Sequence, residues 1–360
     1  HRNGGAGTVY LKGENEEARL ILHNRGLKAG NISAFPVIVP AQITALEPRV
    51  LTFQGESYMP GSLVGMELIP DLEKPEATLP ILANGENTIT VATGDLTQMT
   101  EVGKSFTGRF FLDGHLIIRN TTIRLDREIL VKNLSLLESS LLEHSGSTTT
   151  TTSFLRLRAQ EKVVVDSTSH ISADGKGYLG GSSGGSTDRG RTLGNVAEGS
   201  TRYAGGSHGG YGGKKDSGQS SGKLYGSLYE PVDLGGGGGG NEIGGNGGGA
   251  LRLEVEELIL DGVLSADGQS TPKSTGGAGG SLWVKVGILK GTGSLQANGG
   301  LGKCLASYGG FGGGGGRVAL YYREVSGFDL NRVTAYGGDS SCDNPGETYR
   351  NGGAGTVYLK

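Results

Sequence analysis

The chain reads as an all-β protein: a parallel, right-handed β-helix or solenoid with glycine-rich turns, plus a smaller β module near the N-terminus. Three observations predict this. Glycine supplies 70 of the 360 residues but falls in clusters without a Gly-X-Y period, which excludes collagen. Several clusters run directly into short strands of alternating residues. Finally, residues 2–12, Arg-Asn-Gly-Gly-Ala-Gly-Thr-Val-Tyr-Leu-Lys, recur letter for letter at 350–360, an offset of 348. A degenerate repeat does not return eleven identical residues by accident. The chain is therefore read as slightly more than one copy of a long tandem unit, with Arg2–Lys12 and Arg350–Lys360 marking the junction. Stacked repeats bury a continuous core through contacts between neighbours alone.

Taken in order, residues 1–26 hold the end of a preceding unit and the first strands, Val9–Lys12 and Ala18–Asn24. Residues 27–108 differ. Seven of the ten prolines lie between Pro36 and Pro80, and proline is a poor member of an inner strand. A small all-β module is expected here, with one hairpin signal: Asn84-Gly85 between Ile81-Leu-Ala and the run ending at Val91. Asn-Gly suits a tight turn whose central residues need positive φ. Residues 109–175 return to short β runs, among them Phe110–Gly114, Leu116–Ile118, Ile129–Lys132, Phe154–Arg158 and Val163–Asp166. The Thr148–Thr152 run reads as an outer turn or strand edge.

Residues 176–249 form a glycine/serine excursion in which 28 of 74 residues are Gly, including Gly235–Gly240. Tyr178, Tyr203, Tyr211, Tyr225 and Tyr229 argue against a pure linker, because aromatics supply burial. A partly ordered, irregular lobe packed on the stack is expected. Residues 250–360 give the clearest alignment. Glycine clusters precede strands starting at Leu251, Leu282, Val318 and Val357, in steps of 31, 36 and 39 residues. A second strand follows each. A third carries the tag Ser265-Ala-Asp-Gly268, Gln296-Ala-Asn-Gly299 or Thr334-Ala-Tyr-Gly337, with Ser172-Ala-Asp-Gly175 one turn earlier. Three strands per turn describe a solenoid rung rising ~4.8 Å, right-handed by the crossover rule. On the order of ten rungs per copy gives an axial repeat of roughly 50 Å. Glycine is expected at the corners, where a sharp turn at positive φ and close backbone approach exclude a Cβ.

Charge is nearly balanced, 33 basic against 36 acidic residues, which argues against a nucleic-acid or anionic-membrane surface. No apolar run approaches the ~20 residues of a membrane helix, so no membrane insertion is expected. The chain opens on His1 without a signal-peptide pattern, as an excised piece of a larger polypeptide would. Cys304 and Cys342 each fall seven residues after the tag alanine of consecutive rungs, Ala297 and Ala335. Equal offsets stack them within the ~4.4–6.8 Å Cα range of a disulfide. A Cys304–Cys342 bridge is expected, and with it an oxidising, extracellular setting. Two unpaired thiols on loops of different length are the alternative.

No motif carries recognisable chemistry. Gly302-Lys-Cys304 and Gly213-Lys-Lys215 lack phosphate-loop spacing, and the Ca²⁺-binding glycine nonapeptide is absent. Asp174, Asp267 and Asp339 sit near turns, where they form turns without a metal; any Ca²⁺ there is adventitious, and no cofactor is expected. The six His show no Cys/His metal spacing, and His115 and His170 read as ordinary strand or turn residues. Polysaccharide lyases and hydrolases use solenoids, with paired carboxylates on a groove. Asp166, His170 and Asp174 are close in sequence without a catalytic signature, so no catalytic residue is assigned. Asn31, Asn120 and Asn133 open glycosylation sequons.

The phrases Gly-Gly-Ala-Gly-Gly-Ser-Leu-Trp-Val-Lys, Gly-Gly-Gly-Gly-Gly-Arg-Val-Ala-Leu-Tyr-Tyr and Gly-Gly-Ala-Gly-Thr-Val-Tyr-Leu-Lys resemble glycine-rich repeat regions of very large microbial surface or secreted proteins. The resemblance covers residues 110–360 best, and Asn84–Gly103 resembles a module of such giants. It implies an extracellular, elongated, non-enzymatic role. The reading is thus a structural repeat unit of an extracellular fibre or stalk, its partner another copy of itself joined end to end. An adhesin or module binding surface glycans is the alternative, and a polysaccharide-active enzyme a third reading.

Overall fold

A computed structural model describes residues 7–25, 33–35, 37–240, 242–272, 274–303, 310–340 and 350–360. The strands near the N-terminus are β1 (Gly7–Leu11), β2 (Ala18–His23) and β3 (Ser33–Ala34). There follow β4 (Ala41–Leu46), β5 (Val50–Gln54), β6 (Glu67–Ile69), β7 (Leu79–Asn84) and β8 (Thr88–Val91). Then long and short strands alternate: β9 (Ser105–Arg119), β10 (Thr122–Arg124), β11 (Glu128–Leu137), β12 (Leu141–Glu143), β13 (Leu155–Val165) and β14 (His170–Ser172). After the glycine excursion the alternation resumes with β15 (Ala250–Leu260), β16 (Val263–Ser265), β17 (Ser281–Lys290), β18 (Ser294–Gln296), β19 (Arg317–Ser326), β20 (Val333–Thr334) and β21 (Thr356–Leu359).

The fold is all-β with parallel sheets. Long strands pair in parallel in the order β2, β9, β11, β13, β15, β17, β19, β21; short strands do so in the order β3, β10, β12, β14, β16, β18, β20. The chain visits the two sheets alternately and advances one strand at each visit. Leu251, Leu282, Val318 and Val357 stand in one column, in the register that the glycine-strand alignment gives. The tag residues Ser172, Ser265, Gln296 and Thr334 form another.

Alternation along each strand turns one side chain in two into the core. Leu116, Leu134, Val163, Leu258 and Leu289 stack in one inward column, and Ile129, Leu157, Leu253, Val284 and Leu320 in the next. Each such side chain contributes about 1.5–3 kcal/mol by burial. Outward positions carry the charges. Glu257 lies 2.8 Å from Lys162 and 2.6 Å from Lys290 on the rungs either side of it. Exposed pairs like these add only about 0–1 kcal/mol each. The long strands also share a bulge column: between paired positions, β9 and β13 carry one residue more than β11 and β15.

Three expectations need correction. The first concerns the rung. What reads as two successive strands, such as Leu251–Val255 and Leu258–Leu260, is one long strand crossing the bulge. On the rungs leading to β15, β17, β19 and β21 the remaining side is not a strand but a glycine segment, whereas β10 and β11 are joined by Leu125-Asp-Arg127 alone. Seven rungs, β2/β3 to β19/β20, lie among the described residues where on the order of ten were expected, and they rise about 34 Å rather than roughly 50 Å.

The second concerns the glycines themselves. Gly276 donates to the Phe311 carbonyl, Gly277 to Gln269, Ala278 to Gly236, Gly279 to Gly314 and Gly280 to Ala266. The direction of donation returns every third residue. Gly312–Gly316 behave alike, donating to Arg350, Gly300, Gly206, Gly353 and Ala297 in turn. A period of three is that of polyproline II, not of β structure. Each glycine segment therefore bonds to neighbours in three directions and is packed on all sides. Residues 176–249 belong to this bundle: Gly235 and Gly238 donate to Gly248 and Gly245, and Gly245 and Gly248 to Thr275 and Ala278. Stretches of the excursion such as residues 182–189 and 223–230 are irregular and mostly exposed, while the glycine segments that they separate are regular and interior. Close approach, not positive φ, demands glycine here. A Cβ on Gly313 would sit 1.9 Å from the Gly277 oxygen, and none of Gly235–Gly240, Gly276–Gly280 or Gly312–Gly316 has positive φ.

The third concerns the N-terminal hairpin. β7 and β8 do pair antiparallel, but neither Asn84 nor Gly85 takes positive φ. Asn84 turns inward instead: its Oδ1 accepts from Leu63 N at 2.9 Å and its Nδ2 donates to Met59 O at 3.0 Å. β4, β5, β8, β7, β6 and the start of β9 pair antiparallel around a closed ring. This barrel has its own core, including Ile38, Leu51, Leu68, Ile89 and Phe106. β9 runs from the barrel into the stack, and Arg109 beside Glu67 at 2.7 Å marks the crossing.

Candidate functional site

The repeated phrase takes two conformations. At residues 356–359 it is β21, lying parallel on the first half of β19, with Val357 beside Val318 and Leu359 beside Leu320. At residues 7–11 the same letters form β1, which folds back antiparallel on β2, with Val9 opposite Ile21 and Leu11 opposite Arg19. β2 uses its other edge to pair in parallel with the second half of β9, Arg19 beside His115 and Leu20 beside Leu116. β1 therefore covers the edge of β2 that faces away from the stack. It does so without entering a core, and every residue of it is exposed.

The two ends of the stack leave different halves of a rung uncovered. At the β19 end, β21 covers Arg317–Leu320, and no strand among the described residues pairs beyond Glu324 and Val325. At the β2 end, the second half of a rung is present. Beside it a groove of about 410 Å³ runs along Phe110–Asp113, lined also by Lys12, Ala18, Leu20 and Met66. Of the predicted junction residues, Lys12 lines this groove and Lys360 follows β21, donating its backbone N–H to Leu320 O at 3.0 Å. The Arg350 carbonyl accepts from Gly312 at the bundle's edge, and Arg2 lies outside the described residues.

The glycine lobe is anchored to the stack by a polar cluster that sequence reasoning missed. Arg317 Nε donates to Tyr225 O at 2.8 Å and its Nη1 to Thr356 Oγ1 at 3.1 Å. Tyr225 Oη donates to Leu234 O at 2.7 Å, and its ring lies 4.8 Å from that of His208. His208 is fully buried and is pushed down to about 4 by that burial, although its ring bonds to Gly279 O. His144, packed against Gly249, is likewise held near 4 by burial. Both rings are buried against glycine backbone, His208 at Gly279 and His144 at Gly249. Only their positions in three dimensions distinguish them from surface histidines.

A row of aromatic rings at the β19 end runs from exposed Tyr229 through half-buried Tyr358 and Tyr321 to buried Trp283. The rings of Tyr229 and Tyr358 lie 4.9 Å apart, Tyr358 and Tyr321 5.7 Å, and Tyr321 and Trp283 5.9 Å. The Arg252 guanidinium sits 3.9 Å from the Trp283 ring centroid.

The structure separates the acidic candidates. Asp166 and Asp174 stand at opposite ends of β14 rather than facing each other. Burial tends to raise the Asp166 carboxyl, but hydrogen bonds from Glu138 N and from Thr168 hold it below its usual range. Asp174 begins a ladder: its Oδ1 accepts from Asp267 N at 2.7 Å, Asp267 Oδ1 from Asn298 N at 2.5 Å, and Asn298 Oδ1 from Tyr336 N at 2.8 Å. Burial, then the Asp174 charge, raise Asp267 to about 7. The Asp339 carbonyl accepts from Gly302 N. No group of three or more His, Cys, Asp or Glu among the described residues is arranged to hold a metal. His115 bonds to Ser135 Oγ at 2.8 Å, and His170 is exposed on β14. The Thr148–Thr151 segment is a turn closed by Thr148 N to Thr151 O at 2.9 Å. Cys304 and Cys342 lie outside the described residues. No described helix is long and apolar enough to cross a membrane. No family model, curated protein or solved structure matches the chain.

Proposed function

We propose that the chain is a structural repeat unit of an extracellular fibre or stalk, a right-handed β-solenoid lengthened by stacking unit on unit. One observation carries the reading: after seven rungs the phrase of residues 2–12 returns at 350–360, and it returns as a strand on the column. Nothing in the assignment requires a catalytic residue or a cofactor. The partner is another copy of the same unit, continuous in one chain or separate. The Cys304–Cys342 bridge and the oxidising compartment belong to this reading; intact mass before and after reduction tests them. The test of the fibre is the scattering of chains holding one, two and three units. Length should grow by about 34 Å per unit at constant cross-section; flexible beads would refute it.

The aromatic row favours a second reading, a surface module that holds glycans by stacking sugar rings on Tyr229, Tyr321 and Tyr358. A glycan array separates the two: specific binding lost in Tyr229→Ala favours this one, and an empty array removes it.

A further inference from the structure

We propose that β1 is a removable cap, and that the edge it covers is the docking edge for a second copy of this chain. The proposal rests on the stacking function above but adds the partner strand and the register. β1 is bonded to the edge of β2 that a preceding rung must use. The strand that fits there is the second half of β19 from another copy. Following the ladder of paired residues, Arg19 and Glu324 terminate one column and Leu20 and Val325 the next. Joining the ends sets an acidic residue over a basic one and an aliphatic one over another. The short sheet agrees: Val333 and Ser33 terminate a single column.

The first half of the joined rung is then β21 of the preceding copy, whose Leu359 and Lys360 come level with Phe110 and Phe111 and enter the groove there. When the copies are continuous, residues 13–17 bridge the two halves. They fall at the bulge column, where rungs already differ in length. In this geometry the phrase that caps a free unit is the phrase that completes a joined one. A long, open parallel edge invites uncontrolled pairing, and an antiparallel cap that must first be released restrains it.

The experiment uses the 360-residue chain and a Val9→Pro/Tyr10→Pro variant, in which β1 loses ladder donors while both cores are untouched. Light scattering across concentration reads the mass. The wild type is expected to be monomeric, and the variant to form end-to-end oligomers at tenfold lower concentration or less. Adding Val325→Pro should return it to monomer. Adding the charge swap Glu324→Lys with Arg19→Glu should keep the oligomers, whereas Glu324→Lys alone should weaken them. A variant that melts normally yet stays monomeric would overturn the cap. So would oligomers indifferent to Val325→Pro, or a wild type already oligomeric with β1 in place. If chains of two units are straight rods while these outcomes fail, the stacking function stands and the cap alone is wrong.

Discussion

Gly313 and Asp267 show what single residues do in this molecule. The bundle brings backbone against backbone, so a methyl group at Gly313 must displace the Gly277 carbonyl 1.9 Å away. Gly313→Ala should destabilise the stack by about 3 kcal/mol, the upper range for overpacking. Gly146→Ala, with only Lys176 Cδ at 4.0 Å and no positive φ, should be close to neutral. Thermal melts of the two variants make the comparison. Asp267 carries a pH dependence. Its pKa is raised, to about 7, so between the ordinary carboxylate value and 7 the folded chain binds more protons than the unfolded one. Stability from this group is complete at low pH and is lost as pH rises to about 7. Asn298 fills the next position of the same ladder with an amide and makes the same bond. Asp267→Asn should therefore raise stability by up to about 4 kcal/mol at pH 8 and leave it nearly unchanged at pH 4. Denaturant titrations at the two pH values check this.

Among the elements, barrel and stack hold separate cores joined through β9. Asn84 is buried in the barrel and satisfies backbone groups of Met59 and Leu63. Asn84→Ala should cost about 1–3 kcal/mol through the orphaned N–H and C=O. Hydrogen exchange should localise the loss to residues 41–106 and leave β13–β19 protected; a uniform loss would mean that the two cores unfold as one. The same residue shows the limits of sequence. Asn-Gly marked a hairpin, and β7 and β8 form one, but the tertiary bond to Leu63 N could not be read from neighbours in sequence. The strand columns were legible because period-two alternation survives in every rung. The glycine bundle was not. A cluster of glycines has no side-chain pattern, so nothing local tells a corner from a three-directional helix whose partners come from residues 177–249 and 299–355. β1 and β21 carry the point furthest. Identical letters pair antiparallel in one place and parallel in the other, because the open edge nearby decides the ladder, not the strand's own composition. The chemistry-bearing candidates were separable only in space, as the opposite placement of Asp166 and Asp174 shows.

At the scale of the whole molecule, the described residues hold seven rungs and one barrel, and the phrase of residues 2–12 returns after 348 residues. A continuous array would therefore present barrels along one column at a fixed spacing, with a glycine bundle beside the later rungs of each unit. Everything proposed for the molecule follows from that column continuing through the joint. An electron cryomicroscopy map of a chain holding two units, the phrase shared between them, tests this most directly. The account predicts barrels about 34 Å apart along the axis. It also predicts the shared phrase parallel to β19, followed by Ala18–His23 on Arg323–Ser326. A map in which the second unit keeps its β1–β2 hairpin, and the two columns hinge apart at residue 360, would contradict it.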